Sequence, residues 1–572
     1  MALPGLRRAI VQPVLNVEDV KAVENGLSEQ GVSVSELMRR AGGAAADEVM
    51  RLESVQSVTI LVGFGNNGGD GWVAAQILLQ HGYDVTVVSP VEPEEIKSDI
   101  ARLVAQRAQQ AGVAIVIGPP RQDLQKIIAD TDLVLDAMLG TGFHGAPKPP
   151  FDIWIDTVMA SGVPVISIDV PSGLSAQTGH APGACITADE TVTMLCLKPG
   201  LISDEGRDVT GGIIVAPLAE QTERTVLDSD PVAWRVEPID YADVIQPHVS
   251  NVDKYSRGSV LVVAGSSRYP GAAVMAAKAA ARAGAGYVTL AVPVTIAPLI
   301  QMQVPEIPVV GVAAEQDGTF SSAARPTILK LAERNSATLV GPGMRVTAGT
   351  VAVVSALMSS EAPLVVDADG LNCLARLTNY QIDDYPEVTR RDAPLILTPH
   401  RRELGRLVGL ADTPPDSLTA ALEAARRIVW ADGGSEICVV AKGTATACVN
   451  VEAALLPEPG PAALATAGSG DVLGGIISAL LARTPKDIED LPLIASLGCE
   501  IHAVAGNRAA KKHGSRGVMA TDIIEEIGLA ADELEDHVES LLAGDQGEYE
   551  SDLEADEPED NAEPLLADDQ EE

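Results

Sequence analysis

The chain has 572 residues, 46% of them apolar and only 3% aromatic, and a formal net charge of −40. That length exceeds what one hydrophobic core serves, so two or three domains are expected. An excess of 80 Asp and Glu over 40 Lys and Arg excludes a surface built to hold a nucleic-acid backbone.

At the N-terminus, Arg7 and Arg8 have no long apolar run behind them, so no secretory signal is expected. No uninterrupted apolar stretch reaches membrane-spanning length, so no membrane association is expected either. Short apolar runs at 58–62, 85–88, 114–117, 133–136, 165–169 and 191–195 alternate with helical patterns such as 71–80 and 94–110. This alternation predicts a parallel sheet covered on both faces. Charges and prolines break the rhythm over 218–246, and a domain boundary is placed near 234–243. The rhythm restarts with strands expected at 259–264, 287–292, 338–340, 364–367, 395–398 and 437–441, and helices at 272–283, 347–359, 417–430 and 471–481. Beyond 541 the chain is dense in Asp and Glu and reads as a solvated, disordered acidic tail. Six scattered cysteines form no CxxC pair and are read as reduced thiols of a cytoplasmic protein.

The first chemical signal is Gly63-Phe-Gly65-Asn66-Asn67-Gly68-Gly69-Asp70-Gly71, directly after a strand. Gly63, Gly65 and Gly68 match a dinucleotide fingerprint, in which glycines let a backbone approach a pyrophosphate. The acidic residue that would hold a ribose after the next strand is missing, since that strand ends in Ser89-Pro90. Two amides and a carboxylate on a tight loop offer oxygen ligands and donors together, although such residues also simply build turns. Two more strand ends carry Asp136 and Asp169-Val-Pro-Ser172, and ligands of parallel sheets sit at the carboxyl ends of strands. Asn67, Asp136 and Ser172 are hard oxygen donors suited to a potassium-like or other hard cation, and Asp169 could act as general acid or base. His144 reads as a loop residue.

This half resembles the NAD(P)H-hydrate epimerase family, the YjeF N-terminal domain, over nearly all of residues 1–235. The match rests on Leu37-Met-Arg-Arg-Ala-Gly42, the 63–71 stretch, the segment from Asp136 to Gly145, and Asp169-Val-Pro-Ser-Gly173. The resemblance implies a Rossmann-like fold and a hydrated nicotinamide nucleotide as substrate. It places that substrate on Asn66, Asn67, Gly68, Gly69, Asp70, Gly140, Thr141, Gly142, Phe143, His144, Gly145, Ala146 and Asp169. It implies potassium on Asn67, Asp136 and Ser172, and Asp169 as acid/base for epimerisation at C6.

The second signal is Ala467-Gly468-Ser469-Gly470-Asp471 leading into a helix. Open N–H groups there would cradle a transferring phosphoryl group, and Asp471 would take the proton of an attacking hydroxyl. Lys442-Gly443-Thr444-Ala445-Thr446 follows a strand as a nucleotide-binding turn would, and Asp367-Ala-Asp369 ends another strand. The set resembles the ribokinase-like superfamily and, within it, the NAD(P)H-hydrate dehydratase family, the YjeF C-terminal domain, over roughly 246–530. Further matching pieces are 254–266, 280–286, 341–343, 367–372 and 398–400.

That resemblance implies ADP-dependent phosphorylation of the C6 hydroxyl, followed by loss of phosphate to restore NAD(P)H. It places the adenine nucleotide on Lys442, Gly443, Thr444, Ala445, Thr446 and Gly470. It places the hydrate on Ala272, Gly343, His400 and the base Asp471, with a magnesium ion on the phosphates. The sequence departs from the family's usual pattern at Arg401-Arg402, where Pro-Gly is usual, at Asp253 for His, and at Ser469. The two arginines would either recognise phosphate or stand exposed.

The expected whole is two three-layer α/β/α domains. Residues 1–235 form the Rossmann-like epimerase and 246–541 the ribokinase-like dehydratase, with an acidic disordered tail at 542–572. The resemblance implies NADHX, NADPHX and ADP as small-molecule partners, and a homo-oligomer. Two alternatives stand beside it. One is a ribokinase-like small-molecule kinase with a regulatory nucleotide-binding N-terminal domain, and the other is a non-catalytic scaffold that docks through its tail.

Overall fold

Runs of Val, Ile and Leu flanked by helices form two sheets in the computed structural model, which describes residues 12–245, 257–384, 391–432, 436–484 and 490–554. Strand β1 is Gln12–Val14. Strands β2 (Ser57–Val62), β3 (Asp84–Ser89), β4 (Ala114–Ile117), β5 (Leu133–Ala137), β6 (Val165–Ile168), β7 (Glu190–Met194) and β8 (Gly212–Ala216) make a seven-stranded sheet. Its order is β4-β3-β2-β5-β6-β7-β8, and every neighbouring pair is parallel. The order reverses between β2 and β5, which opens a crevice beyond their carboxyl ends.

The second sheet contains β9 (Ala233–Arg235), β10 (Ser259–Val263), β11 (Tyr287–Pro293), β12 (Val309–Val312), β13 (Ala337–Val340), β14 (Leu364–Val366), β15 (Leu395–Leu397), β16 (Ile437–Ala441), β17 (Ala447–Val449) and β18 (Ala454–Leu456). From β16 through β15, β14, β13 and β10 to β11 and β12 it is parallel, with its own reversal between β13 and β10. β17 and β18 extend it antiparallel. Then β9 pairs parallel with β18, and β1 pairs antiparallel with β9.

Both sheets are α/β/α sandwiches, as the alternation of patterns predicts. Two strands from the first 235 residues nevertheless complete the second sheet, so the sequence boundary and the sheet boundary do not coincide. The seam is apolar as well. Leu174, Leu197, Leu201 and Ile202 of the first half share one buried cluster with Leu397, Leu404, Leu422 and Val449 of the second.

Three local expectations are corrected. Asn66–Asp70 is not a loop but the first turn of the helix Asn66–Gln80, with Gly65 as its N-cap. The turn is made upstream, where Gly63 lies so close to the Met138 carbonyl that a Cβ would stand 1.8 Å from it. The helix expected over 94–110 is interrupted. A 3-10 turn covers Pro93–Glu95, and the helix proper, Asp99–Gln110, starts where the Ser98 hydroxyl caps the Ala101 N–H at 3.4 Å. The last helix runs Ala520–Glu554, past the expected boundary at 541. The remaining tail residues and the departure at Asp253 lie outside the described residues.

Candidate active sites

The first site forms at the β2/β5 crevice. β5 ends in Asp136, which is fully buried and accepts from Ser172 Oγ (2.6 Å), Ser172 N (2.8 Å), Ser167 Oγ (3.0 Å) and Met138 N (3.2 Å). All four donors are neutral. Burial therefore raises the Asp136 carboxyl pKa, although the Ser172, Met138 and Ser167 bonds oppose this. Ser172 Oγ also accepts from Leu139 N at 2.9 Å, which ties the β6 end to the segment after β5.

Asp169 adopts a left-handed φ of 68°, a strained conformation that Asp tolerates and that gathers at functional sites. Its Oδ2 accepts from Thr141 N at 3.0 Å and its Oδ1 from Lys198 Nζ at 2.9 Å. Lys198 is completely buried and also donates to Thr193 Oγ1 and to the Met194 carbonyl, both at 2.7 Å. All three ammonium protons are therefore committed, and Lys198 acts as a fixed charge rather than a proton donor. Asp70, one helical turn in, has its pKa pushed well up by burial and then by Asp169 and Glu24.

Asn67 lies against Gly140, where an added Cβ would meet both Asn67 and Asp169 at 3.1 Å. The Asn67 side-chain oxygen and nitrogen are both buried with no hydrogen-bond partner among the described residues. A buried amide left open costs roughly 1–3 kcal/mol, a penalty that a ligand would remove. The structure thus brings Asn67, Gly140, Thr141 and Asp169 to one point, with Asp136 and Ser172 beside them. His144 is exposed, and Asn66 Oδ1 is taken by Ser98 Oγ at 3.0 Å. An open amide oxygen, an enclosed carboxylate with no cationic partner among the described residues and a hydroxyl oxygen fit a weakly hydrated monovalent cation.

The second site collects strand ends around the helix Ser469–Arg483. Gly468 caps it at a left-handed φ of 91°. Ser469 N bonds the Thr466 carbonyl and Val472 N bonds Gly468, so the Gly470 and Asp471 amides are the open donors of the first turn among the described residues. Asp367, after β14, accepts from Lys442 Nζ (2.9 Å) and Thr398 Oγ1 (2.7 Å). A Cβ on Gly470 would stand 3.5 Å from Lys442 Nζ, so the Asp367–Lys442 pair lies against the start of the helix. Burial, reinforced by Asp367 and then Asp369 against Lys442, pushes the Asp471 pKa up to about 7. Burial opposes charge on Lys442, yet Asp367, Glu403 and Asp471 hold its pKa above the ordinary value. Gly343 and Ala272 are neighbours, with a Cβ on Gly343 falling 2.8 Å from that of Ala272.

His400 serves as a helix cap. Its Nδ1 accepts from Arg402 N (3.1 Å) and Glu403 N (3.2 Å), which leaves the proton on Nε2. Arg402 is exposed, but Arg401 does neither thing expected of it. It is half-buried and pairs at 2.5 Å with Asp204 of the N-terminal half. His502 was also illegible in the sequence. It is buried, faces Ser469 Oγ at 3.1 Å, and is held neutral because burial, then Lys442, lower its pKa to about 4. Lys198 and His502 sit outside every motif. Apolar and small residues make up most of the sequence around both, with Glu500 near His502, and carry no signal of their role.

Among the described residues no group of three or more His, Cys, Asp or Glu is arranged to hold a metal, and no helix is long and apolar enough to cross a membrane.

Two family profiles match the chain. One is described as YjeF-related protein N-terminus over residues 34–200, and the other as NAD(P)H-hydrate dehydratase over residues 260–529. The chain is similar to a bifunctional NAD(P)H-hydrate repair enzyme of Leishmania braziliensis, at 34% identity over 92% of this chain and 95% of the relative. It is similar to bifunctional NAD(P)H-hydrate repair enzymes Nnr of Moorella thermoacetica (33%, covering 89% and 95%) and Hyperthermus butylicus (34%, covering 91% and 92%).

Proposed function

The chain belongs to the family of bifunctional NAD(P)H-hydrate repair enzymes, which join epimerase and dehydratase activities, and we propose that its two sites act in succession at C6 of the hydrated nicotinamide ring.

At the first site, C6 bears both a hydroxyl and the ring nitrogen, so its configuration changes by breaking and remaking one bond at that carbon. Asp169 shuttles the proton this requires. Lys198 fixes the charge and direction of Asp169, and the Thr141 N–H holds its other oxygen. The segment Gly140–Ala146 and the helix start Asn66–Asp70 embrace the nucleotide. Potassium would be held by Asn67, Asp136 and Ser172, where it would offset the enclosed Asp136 charge. The open Asn67 amide supports this reading.

At the second site the C6 hydroxyl of the competent epimer attacks the terminal phosphoryl group of ADP. Asp471 removes the hydroxyl proton, AMP departs, and the amides of Gly470 and Asp471 steady the moving charge. The C6–O bond then breaks under the push of the ring nitrogen. A C5 proton is lost, phosphate leaves, and NAD(P)H is restored. Magnesium would neutralise phosphate charge, held mainly through the nucleotide with one or two carboxylates. Lys442, Gly443, Thr444, Ala445 and Thr446 hold the adenine nucleotide, and Ala272, Gly343 and His400 line the hydrate. The cytoplasmic setting is supported by six free cysteines, five of them buried.

The observation that carries the dehydratase reading is a carboxyl titrating near neutrality at the open amides of a helix start, beside a lysine–carboxylate pair. The test supplies a mixture of both hydrate epimers with ADP and magnesium and follows the absorbance of reduced nicotinamide. Wild type restores all of it. Asp169→Ala stops when the competent epimer is consumed, and Asp471→Ala restores none. A stable phosphorylated product from the wild type would instead establish a plain kinase.

A further inference from the structure

The turn Lys442–Thr446 between β16 and β17 is held from outside its own domain. Thr444 Oγ1 accepts from Asp204 N (3.0 Å) and donates to Asp204 Oδ1 (3.1 Å). The same Oδ1 receives Arg401 Nη2 at 2.5 Å, while Arg401 Nη1 reaches the Asp416 carbonyl at 2.9 Å. Arg207, three residues beyond Asp204, donates to the carbonyls of Thr444 (3.5 Å) and Pro459 (3.0 Å). Arg401 also flanks the turn, because a Cβ on Gly443 would stand 3.3 Å from its Nε.

Two features of Asp204 argue against simple adhesion. It sits at a left-handed φ of 53°, a conformation costly for most side chains. Its Oδ2 is buried with no donor among the described residues, so the carboxylate is enclosed and half-satisfied. Replacing a buried ion pair as a whole by apolar groups is often neutral or stabilising, so cohesion is a poor reason to keep the Asp204–Arg401 pair. Cohesion is also supplied elsewhere, by the β9–β18 ladder and the shared apolar cluster.

We propose that Asp204 and Arg401 are positioning residues by which the epimerase domain sets the nucleotide-binding turn of the dehydratase domain, so that ADP affinity depends on a residue of the other half of the chain. This rests on reading Lys442–Thr446 as the nucleotide turn. It gives Arg401, where the family usually has proline, a partner that only the joined chain supplies. Neither residue contacts the reacting atoms. Their loss lets Thr444 and the turn drift, which weakens ground-state binding of ADP without altering Asp471.

The experiment uses the full chain and measures the KM for ADP, kcat of dehydration and the rate of epimerisation. Asp204→Ala and Arg401→Ala each raise the KM for ADP roughly fivefold or more, as loss of about one net hydrogen bond does. The kcat and the epimerisation rate stay unchanged. The double variant shows less than the product of the single effects, because both residues act through one contact. Asp204→Asn tolerates the left-handed backbone and keeps both Thr444 bonds, so it recovers most of the affinity. Lys442→Ala is the control. If it weakens ADP binding while both Asp204→Ala and Arg401→Ala leave the KM unchanged, the proposal is overturned. If Lys442→Ala leaves ADP binding unchanged, the reading of the turn itself is wrong. A fall in kcat and epimerisation together with the KM change would show general unfolding and would also overturn it.

Discussion

Lys198 and Asp169 form an ion pair at 2.9 Å in which the lysine is completely enclosed while the carboxylate keeps 12% of its side chain exposed. The cation is therefore committed, and the anion retains access to the crevice at the β2/β5 reversal.

Breaking that pair tests both its structural and its chemical role. Lys198→Met leaves an enclosed carboxylate without its cation, an arrangement that costs roughly 3–5 kcal/mol. The melting temperature falls and epimerisation stops. Adding Asp169→Asn to Lys198→Met recovers much of the stability, since both partners are then neutral, but restores no epimerisation. Thermal melts and chromatographic separation of the two epimers read these effects. Wild-type stability in Lys198→Met would disprove the pair's structural weight.

The raised pKa of Asp471 sets the pH dependence of dehydration. A base that titrates at about 7 loses activity roughly tenfold per unit as pH falls below that value and is on a plateau above it. Asp471→Asn lowers kcat by roughly 10²–10⁴-fold and leaves epimerisation intact. The same shift bears on stability. A carboxyl raised in the folded state stabilises fully below its unfolded value near 3.8, and that contribution is lost as pH rises through about 7. The melting temperature of Asp471→Asn therefore rises relative to wild type over that window and holds its lead above it. A flat difference across the window would show that Asp471 is not strained by its surroundings.

Potassium removal is read without turnover. Binding to the folded state alone raises the melting temperature of the wild type as potassium replaces a large organic cation. Asn67→Leu abolishes the increment, because it removes the open amide oxygen. An increment of equal size in Asn67→Leu would move the cation elsewhere.

Gly63→Ala tests the turn beneath the first site. Its methyl group would meet the Met138 carbonyl at 1.8 Å, and a backbone atom cannot step aside as a side chain would. The cost exceeds the roughly 1–3 kcal/mol usual for overpacking, and soluble yield falls sharply. Gly142→Ala, where nothing lies within 4 Å of the added carbon, is the matched control and folds normally.

Most strands of both parallel sheets were legible because residues buried on both faces read as continuous apolar runs, whereas the edge strands β8 and β12, only partly buried, were not expected. Asp136, Asp169, Lys442 and Asp471 were legible because each ends a strand or starts a helix, where ligands collect. Lys198 was not, since its charge is matched by Asp169, 29 residues earlier, and no spacing rule links them. The three-residue strands β1 and β9 carry too few residues for a period of two to register. Arg401 was misread for the same reason as Lys198, because its partner Asp204 lies 197 residues away in the other half.

The ladder from β18 to β9 and on to β1 has a mechanical corollary. A hinge between two lobes requires a seam crossed only by flexible chain, whereas main-chain hydrogen bonds cross this one and an apolar cluster fills it. The halves therefore behave as one welded frame. Any opening that admits or releases a nucleotide must arise within a half, and an epimer leaving the first site travels to the second by diffusion rather than on a swinging arm.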